Sequence, residues 1–482
     1  MSKYDVVIGL EVHVQVRTDS KMFCSCPNRF GQEPNTMVCP VCMGLPGVMP
    51  YPNREAVRKT VMAGLMCGCE IAKFSKFDRK SYFYPDMPKN YQISQYDLPL
   101  CGKGKLHVCG KGFSGAELPD KSIGITRIHL EEDVGKLNHF AGYSGIDFNR
   151  AGVPLMEIVS EPDMSSADEA YAYLTSLKQI MQYADISDCD MEKGQMRCDV
   201  NISLKLAGAK EFGTKVEIKN LNSFRSAHRS IEHEIIRQAE VLDAGGKITQ
   251  ETRGWTDDRG ETYLLRSKES AHDYRYFPEP DLLPMTFSDE DIAKIKSQLP
   301  ELPEQKRERF VATLGLTPYD AQVLTLDKTL SDYFDEGAKL AKSPKMLANW
   351  IITELLRELN DRNIPFENNP VPVSHLVELV ELVSGGTITG KSAKEVFSEL
   401  FAGGKTPKQI VSEKGLVQIS DDSAIEKFVI TAIEQNPTQV KQYKEGKTAV
   451  MQFFVGQVMK QSKGKANPQI VNKLLREKLD QC

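Results

Sequence analysis

The alternation of hydrophobic and polar residues divides the chain into a part rich in strands and a part rich in helices. Up to about residue 290, apolar and polar residues alternate in short stretches that Gly, Pro, Asn and Asp interrupt, which is typical of strands. Within this part, apolar residues recur at every third or fourth position in 166–183 and 224–242, which predicts two helices. After a proline-rich segment at 277–284, helical spacing predicts further helices at 304–314, 344–359, 373–384 and 392–401.

This order of elements predicts an α+β protein with three domains. We expect an α+β domain over residues 1–293, an all-α domain over 294–405 and a small helical tail domain over 406–482. A length of 482 residues agrees with this division, because domains average roughly 150 residues. No apolar run approaches the roughly 18 residues of a membrane-spanning helix. The first residues have the pattern of a strand without a signal peptide, so we expect a cytoplasmic protein with no membrane contact.

The charge of the chain is unevenly distributed. The formal net charge is −5, which gives no indication of nucleic-acid binding by the whole protein. Between residues 441 and 478, however, nine basic and two acidic side chains give a net charge of +7. This cluster predicts that a polyanion binds at the C-terminal end, although a basic face that only keeps the tail soluble has the same composition.

Several predicted strands carry reactive side chains on one face. In residues 10–16, Glu11, His13 and Gln15 alternate with apolar residues, and alternate residues of a strand share a face. Three further strands repeat the pattern with Arg127, His129 and Glu131; with Arg197, Asp199, Asn201 and Ser203; and with Lys215, Glu217 and Lys219. Carboxylates and imidazoles suit Mg²⁺, and neighbouring cations suit phosphate. We expect one converging polar surface, with a solvated sheet face as the alternative.

Glu157 has the most constrained surroundings of the acidic residues. It lies in a stretch at 154–160 with apolar residues on both sides. If this strand is internal, a carboxylate without a partner would be unfavourable to bury, so Glu157 should meet a metal ion or a cation. An edge strand that leaves Glu157 in solvent is the alternative.

Two loops, 77–92 and 273–281, are rich in cations and tyrosines. Their basic residues Arg79, Lys80, Lys89 and Arg275 can bind nucleotide phosphates, with the tyrosines as stacking surfaces. Ordinary packing of cations against aromatic rings explains the same composition. The composition alone does not separate these two interpretations.

Four of the eleven cysteines have the spacing of a metal site. Twelve residues separate the pair Cys24 and Cys26 from the pair Cys39 and Cys42, as in four-cysteine zinc sites. A long chain without a signal peptide also favours thiols or metal ligands over disulfides. We expect a structural zinc ion that closes the loop 24–42, because four thiolates leave no position open for a substrate.

A glycine-rich segment at 385–392 matches the expression of a phosphate-binding loop, G-x-x-x-x-G-K-S. Such a loop follows a buried strand, whereas the spacing on both sides of this segment predicts helices. We therefore predict a turn between two helices, with a phosphate-loop NTPase acting through Lys391 as the alternative. The sequence also has no nucleophile elbow and no His-x-x-x-His motif that would predict amide cleavage by this chain alone.

Motifs along essentially the whole chain resemble those of the B subunits of bacterial aspartyl/glutamyl-tRNA amidotransferases. Gly-Leu-Glu-Val-His at 9–13, Phe-Asp-Arg-Lys at 77–80 and His-Leu-Glu-Glu-Asp at 129–133 belong to these motifs. The others lie at 82–86, 91–95, 149–154, 157–163, 219–224, 273–281, 348–350, 454–459 and 463–468. Long motifs in a fixed order are a specific signal.

The resemblance implies a fold, an activity and partners. Members of this family have a cradle-shaped α+β catalytic domain on an antiparallel sheet, distantly similar to glutamine synthetase, then a helical domain and a tail that contacts tRNA. They use ATP and Mg²⁺ to phosphorylate the side-chain carboxylate of Asp or Glu mischarged on tRNA(Asn) or tRNA(Gln). An amidase A subunit releases ammonia from glutamine, which travels through a channel and displaces the phosphate, and a small C subunit clasps the pair.

We therefore expect a ligase subunit that forms C–N bonds with glutamine as amido donor, within a heterotrimer. A non-discriminating aminoacyl-tRNA synthetase is a further candidate partner. The alternative function is a non-catalytic tRNA-binding scaffold of the same complex. The sequence does not distinguish Asp-tRNA(Asn) from Glu-tRNA(Gln) as the substrate.

The resemblance also implies roles for individual residues. The expected catalytic residues are Glu11, His13, Lys80, Lys89 and Glu157. The expected Mg²⁺ ligands are Glu11, His13, Glu131, Glu132, Glu157 and Glu217, and alternation along the strand favours Glu131 over Glu132. The expected nucleotide contacts are Arg79, Arg197, Asp199 and Arg275, and the expected tRNA contacts are Lys460, Lys463, Lys465 and Lys473. Only some members of the family have the four cysteines.

Overall fold

The computed structural model describes residues 3–267, 273–419, 421–445, 447, 449–462 and 464–481. The chain forms two compact units, Met1–Pro303 and Glu304–Cys482. Across the described ranges, no helix has both the length and the apolar character that a membrane span requires.

The first unit contains the strands and four helices. The strands are β1 (Tyr4–Gln15), β2 (Phe74–Ser75), β3 (Asp78–Ser81), β4 (Tyr91–Ser94), β5 (Gly104–Lys111), β6 (Glu117–Glu132), β7 (Lys136–Phe140), β8 (Tyr143–Asp147), β9 (Pro154–Ser160), β10 (Met196–Leu206), β11 (Val216–Leu221), β12 (Glu251–Thr256), β13 (Glu261–Ser267), β14 (Phe277–Pro278) and β15 (Met285–Thr286). The helices are α1 (Arg54–Met66), α2 (Ala167–Tyr183), α3 (Phe224–Asp243) and α4 (Asp289–Lys296). The two helices predicted in this unit, at 166–183 and 224–242, are therefore confirmed.

Eight of these strands form one large sheet in the order β13-β12-β11-β10-β1-β9-β6-β5. Neighbouring strands are antiparallel except β11 and β12, which are parallel. This pair differs from the antiparallel sheet that we expected. The reason is α3, which connects the two strands and returns the chain to the end of the sheet where β11 began.

The large sheet has an apolar face and a polar face. Leu10, Val12 and Val14 of β1 are at most 1% exposed and belong to a core that also includes apolar residues of α2 and α3. Helices α2 and α3 have serine N-caps, Ser166 and Ser223. Each serine side chain accepts a hydrogen bond from a backbone N–H of the first turn. Since successive side chains point to opposite faces, the polar residues between these apolar positions face away from the helices.

A bulge in β6 determines on which face of the sheet the side chains of this strand lie. Ile125 pairs with Ser160 and Arg127 pairs with Val159, so Thr126 is one residue more than the partner strand has. Before the bulge, the odd-numbered residue Ile125 is buried in the apolar core. After the bulge, odd-numbered residues lie on the polar face.

A smaller sheet, in the order β14-β3-β4, brings the two loops rich in cations and tyrosines together. Phe277 pairs with Arg79, and Lys80 pairs with Gln92. Two further strand pairs, β15 with β2 and β7 with β8, complete the strands of this unit within the described residues.

The second unit is helical. Its helices are α5 (Pro303–Leu314), α6 (Pro318–Leu324), α7 (Lys328–Leu340), α8 (Pro344–Trp350), α9 (Leu356–Asp361), α10 (Val373–Ser384), α11 (Gly390–Leu400), α12 (Pro407–Lys414), α13 (Asp422–Glu434), α14 (Pro437–Lys444), α15 (Val450–Gln461) and α16 (Pro468–Gln481). A π-helical turn (Ile351–Leu355) joins α8 to α9, and a 3₁₀ turn (Phe366–Asn368) follows. The helices predicted at 304–314, 344–359, 373–384 and 392–401 are confirmed, the second with the π turn inside it.

Two apolar cores lie in this unit. The larger core extends from Phe310 in α5 to Val411 in α12, and the smaller core includes Ile425, Phe454 and Leu475 from α13, α15 and α16. Helix α12 therefore packs into the larger core, although the expected boundary at 405/406 assigns it to the tail domain. The three-domain division stays a prediction.

The glycine-rich segment at 385–392 lies between two helices, as predicted. Helix α10 ends at Ser384, and α11 begins at Gly390. Over the described residues 373–400 no strand precedes the segment. The geometry of a phosphate-binding loop is therefore missing at Lys391.

Candidate active site

The polar face of the large sheet collects side chains from five neighbouring strands. His13 of β1 pairs with Glu157 of β9, and Glu157 pairs in turn with His129 of β6. On the other side of β1, Glu11 pairs with Asp199 of β10. The converging polar surface that alternation predicts is therefore present, and β9 is an internal strand, as the interpretation of Glu157 required.

Three of the expected residues, the half-buried His13 and the buried Glu131 and Glu157, form a group that we call the inner trio. Their ligand atoms all lie within 4.8 Å of one another. The Nε2 atom of His13 is 3.4 Å from Glu157 Oε2, and His129 Nε2 is 3.4 Å from the same oxygen. The hydroxyl of Ser94 donates a 2.9 Å hydrogen bond to Glu131. Glu131 is 2% exposed and Glu157 is 9% exposed.

The inner trio is anionic in spite of its burial. Burial alone would raise the pKa of Glu157, but His129 and His13 hold this pKa far below its usual range. The pKa of Glu131 is also lowered, because His129 and Lys80 outweigh the effect of its burial. Burial would lower the pKa of Lys80, but the charges of Glu131 and Glu157 raise it above the ordinary value. Charged carboxylates and a charged lysine therefore face one another here.

Three other carboxylates, Glu11, Asp199 and Glu217, form a second group on the same face, which we call the outer trio. Their ligand atoms also lie within 4.8 Å of one another. Lys219 is hydrogen-bonded to Asp199 and lies 3.3 Å from Glu217. These carboxylates raise the pKa of Lys219 well above its usual value, although its burial acts in the opposite direction.

Neutral side chains complete the outer trio. The amide Nδ2 of Asn201 donates a 2.9 Å hydrogen bond to Glu11, and the hydroxyl of Thr252 donates a 2.8 Å hydrogen bond to Glu217. The buried Oδ1 atom of Asn201 has no hydrogen-bond partner among the described residues. An orphaned oxygen beside three carboxylates fits a hard cation such as Mg²⁺, which prefers oxygen ligands. The inner trio fits a cation less selectively, because His13 offers a nitrogen.

The structure does not bring Glu132 or Lys89 to either trio. Glu132 follows Glu131 in β6 and so points to the opposite side of the strand. Its carboxylate contacts the ammonium of Lys89 and accepts a 2.9 Å hydrogen bond from the backbone N–H of Ile93. The preference for Glu131 over Glu132 therefore agrees with the geometry.

The expected nucleotide contacts have different surroundings. Arg79 makes two hydrogen bonds to Glu279, of 2.6 and 2.8 Å, and its guanidinium lies 4.3 Å from the centre of the Tyr91 ring. Arg197 is hydrogen-bonded to Asp133 at 2.9 Å, and the charge of Asp133 raises its pKa. The exposed Arg275 lies in the left-handed region, with φ at 46°.

A cavity of about 890 Å³ lies beside the outer trio. Asp199, Lys219 and Arg197 line it. Arg29 and Lys136 also line it, and within the described part of the chain neither side chain forms a hydrogen bond or an ion pair. No sequence signal singles out these two cations, because each is an isolated basic residue in a loop or at a strand end.

The four cysteines Cys24, Cys26, Cys39 and Cys42 form a third group, whose sulfur atoms also lie within 4.8 Å of one another. None of the four is part of a disulfide. The backbone N–H of Cys39 donates a 3.2 Å hydrogen bond to Cys42 Sγ, and the ammonium of Lys21 is 3.8 Å from the same atom. Hydrogen bonding from Cys24 lowers the pKa of Cys42 to about 5, and Lys21 adds to this effect. Four close sulfurs beside a cation fit a zinc ion.

The expected tRNA contacts lie in the last two helices and between them. Lys460 of α15 and Lys473 of α16 are exposed, and Lys465 is half-buried. Lys463 lies outside the described residues. Their role in binding stays a prediction.

Comparison with known proteins gives a consistent result. The family described as the GatB/GatE catalytic domain matches residues 6–293, and the family described as the GatB domain matches residues 332–479. The chain is 52% identical to the B subunit of the aspartyl/glutamyl-tRNA(Asn/Gln) amidotransferase of Carboxydothermus hydrogenoformans, over 99% of both chains. It is 51% identical to the corresponding protein of Brevibacillus brevis, over 100% of both chains. The corresponding Persephonella marina protein is 52% identical, over 99% of this chain and 100% of the relative.

Proposed function

Because this chain belongs to the GatB family, and is thus a ligase subunit of a multi-subunit tRNA-dependent amidotransferase, we propose that its polar sheet face activates an amino-acid carboxylate on tRNA. The observation that carries this proposal is the pair of trios on one face, with Lys80 beside the first and Lys219 beside the second. Glu11 and His13 are two residues apart on β1, so the trios are about 7 Å from each other along the strand.

The proposed reaction has two steps. A side-chain carboxylate of Asp or Glu, esterified to tRNA(Asn) or tRNA(Gln), attacks the γ-phosphorus of ATP, and ADP leaves. Ammonia then attacks the acyl carbon of this acyl phosphate, and phosphate leaves as the amide forms. The first step is needed because an oxide is a poor leaving group and phosphate is a good one. The protein contributes position and charge, which are the main requirements of phosphoryl transfer.

The residues of the two trios have distinct tasks in this scheme. The inner trio and the outer trio would each hold one Mg²⁺ ion, and bound Mg²⁺ would neutralise charge on the phosphate oxygens. Lys80 faces the inner trio as a charged ammonium and is placed to pair with the transferred phosphoryl group. Lys219 can exchange its contacts with Asp199 and Glu217 for a phosphate when a cation binds to those carboxylates.

The cavity beside the outer trio is the proposed place for the polyphosphate and the aminoacyl end of the tRNA. Arg29, Lys136 and Arg197 give its wall a positive charge. Asp199 remains a proposed part of the nucleotide site through the outer trio, and Arg275 remains a proposed contact. Arg79 can contact the nucleotide only if its hydrogen bonds to Glu279 break.

The remaining assignments concern the surroundings of this site. We propose that Lys89, with Glu132, lies on the path by which ammonia arrives from an amidase A subunit, and that a small C subunit completes a heterotrimer. The cysteines would hold a structural zinc ion, and the basic tail would bind tRNA through Lys460, Lys463, Lys465 and Lys473. We also propose that the catalytic unit is cradle-shaped and similar to glutamine synthetase, and that it acts on tRNA in the cytoplasm.

Measuring ATP consumption by the reconstituted complex tests the proposal. ADP should form only when mischarged tRNA(Asn) or tRNA(Gln) is present, and ammonia should replace glutamine as nitrogen donor. Comparing the two tRNAs identifies the substrate. If the complex binds mischarged tRNA but forms no ADP with either one, the chain is a scaffold and not the activating subunit.

A further inference from the structure

The outer trio continues across the sheet to its edge strand, β13. Glu217 of β11 pairs with Thr252 of β12, and Thr252 pairs with Arg266 of β13. The 2.8 Å hydrogen bond from the Thr252 hydroxyl to Glu217 places these two side chains on the same face. Glu217, Thr252 and Arg266 therefore form one row across three strands, each strand about 4.8 Å from the next.

A bulge in β13 turns Arg266 to this face. Tyr263 pairs with Gly254, which is two residues from Thr252 and therefore also on the polar face. In a regular strand, Arg266 would lie on the face opposite to Tyr263, because the two residues are three positions apart. The register shifts between Thr252 and Arg253, so Leu265 has no partner and Arg266 regains the face of Tyr263. Bulges of this kind often re-aim a side chain next to an active site.

Arg266 differs from the arginine of the neighbouring strand. Arg253 lies on the opposite face, where its hydrogen bonds to Thr262 and Glu251 give it a structural role. Arg266 is exposed, and no described residue forms a hydrogen bond or an ion pair with its side chain. The free guanidinium is therefore available to an anion that reaches the row from solution.

We propose that Arg266 binds a phosphate group of the nucleotide whose Mg²⁺ ion the outer trio holds. The inference rests on the proposed function and adds a residue that the sequence analysis did not select. Nucleotide-bound Mg²⁺ is typically held by one or two carboxylates together with phosphate oxygens. The phosphates must then lie beside the trio, and Arg266 is the cation two strands away in the same row. Its planar guanidinium can form two parallel hydrogen bonds to a phosphate.

The test compares two arginines of the same hairpin in the reconstituted complex. Arg266→Gln removes the proposed contact, and Arg259→Gln is the matched control, since Arg259 lies in the turn, is 76% exposed and contacts Glu261 at 3.5 Å. With saturating mischarged tRNA and ammonia, Arg266→Gln should raise the KM for ATP on the order of 10- to 100-fold. Arg259→Gln should leave this KM unchanged. Arg266→Lys should give an intermediate KM, because it keeps the charge and loses the planar fork.

A second titration separates the two possible sources of the phosphate. With saturating ATP, the KM for mischarged tRNA should be the same in Arg266→Gln and in wild type. If the KM for tRNA rises and the KM for ATP does not, Arg266 contacts the tRNA backbone and the nucleotide assignment is overturned. Equal constants for Arg266→Gln and Arg259→Gln also overturn it. These outcomes differ from a failure of the proposed function, in which the wild-type complex itself consumes no ATP.

Discussion

The carboxylates of the inner trio and those of the outer trio are neutralised by different groups. Glu131 and Glu157 are buried, and two imidazoles and one ammonium group lie around them: those of His13, His129 and Lys80. The outer trio consists of three carboxylates beside an open cavity, with Lys219 as the cation in hydrogen-bond contact. A buried charge needs a fixed counter-charge, whereas the half-buried Glu11 and Asp199 beside the cavity can be neutralised by a cation that arrives with the substrate. On this basis we propose that the inner site is permanent and that the outer site exchanges its cation.

The largest effect should come from breaking the inner trio. We expect Glu157→Gln and His13→Ala to lower amide formation at least about 100-fold with either nitrogen donor, since both residues act before ammonia is used. Transamidation assays with ammonia and with glutamine provide the measurement. Glutaminase activity of the assembled complex is the control and should persist at least in part. Near-normal ammonia-dependent activity in either variant would show that the inner trio is not the activating site.

The cysteine site differs from both trios, because four thiolates would fill the coordination of its metal ion and leave no position open for a substrate. We expect about one zinc ion per chain in protein purified without chelator, and loss of this ion in Cys39→Ser, because the remaining three thiolates leave the coordination incomplete. Elemental analysis and the thermal unfolding midpoint report both effects. Cys69→Ala is the matched control, since Cys69 is a buried cysteine outside the site. Zinc-free wild-type protein would contradict the assignment.

Substitutions at the two trios should lower the free energy of unfolding of the first unit by different amounts. In the presence of a chelator, His129→Leu should lower the free energy of unfolding by about 2–3 kcal/mol, because it removes the imidazole that lies within 3.6 Å of both buried carboxylates, Glu131 and Glu157. Lys219→Met should lower it by less, because Glu11 and Asp199 are only half-buried and water can reach them, although Glu217 is buried. Urea unfolding of the two variants measures the difference. Equal losses would mean that the outer trio also depends on a fixed counter-charge.

The Mg²⁺ requirement should depend on the outer trio. Asp199→Asn should raise the Mg²⁺ concentration for half-maximal activity about 10-fold or more. Substituting a residue that only orients a metal ligand already lowers metal affinity by about 10- to 100-fold, and losing a carboxylate ligand should lower it at least as much. Activity measured against Mg²⁺ at fixed ATP gives this value. Glu261→Gln, at the exposed end of β13, should not change it. An unchanged requirement in Asp199→Asn would remove the outer trio from the metal site.

The smallest effect concerns the second unit, where the basic tail should bind tRNA without affecting either trio. Removing residues 422–482, which leaves α12 in the larger core, should weaken tRNA binding and flatten the dependence of log affinity on log salt, by about 0.7 to 0.9 for each phosphate that the tail neutralises. The double variant Lys460→Gln and Lys473→Gln should flatten the slope by about two such increments. Binding isotherms at several salt concentrations provide the measurement. Activity should recover partly at high tRNA concentration, and an unchanged slope would contradict the role of the tail.

The sequence alone predicts the polar face of the site but not its division. Alternation places Glu11 and His13 on one face, and it favours Glu131, which the structure places in the inner trio, over Glu132, because the period of a strand is a local property. The separation of Glu11 from His13 into different trios depends on which strands flank β1. That order is set by tertiary packing, and residues far apart in the chain meet only through it.

Local amino-acid composition does not predict the role of a side chain whose hydrogen-bond partner lies far away in the chain. The sequence around Arg79 is typical of a phosphate contact, but Glu279, 200 positions later, accepts two hydrogen bonds from its guanidinium and Asp281 accepts a third. Thr252 and Arg266 were missed for a different reason. Their face follows from the register of β12 and β13, and the bulge at Leu265 reverses the alternation that the sequence suggests.

The bulge in β6 limits which insertions and deletions this gene can accept. Ile123 and Ile125 lie in the apolar core before Thr126, and His129 and Glu131 lie on the polar face after it. Deleting Thr126 itself removes only the extra residue, so Ile125 stays opposite Ser160, Arg127 stays opposite Val159 and both segments keep their faces. Deleting one residue between Arg127 and Glu131 instead shifts part of the strand by one position, which turns either Arg127 or Glu131 to the apolar face. The effect of a single-codon deletion in this strand therefore depends on whether it removes the bulge residue or a residue after it.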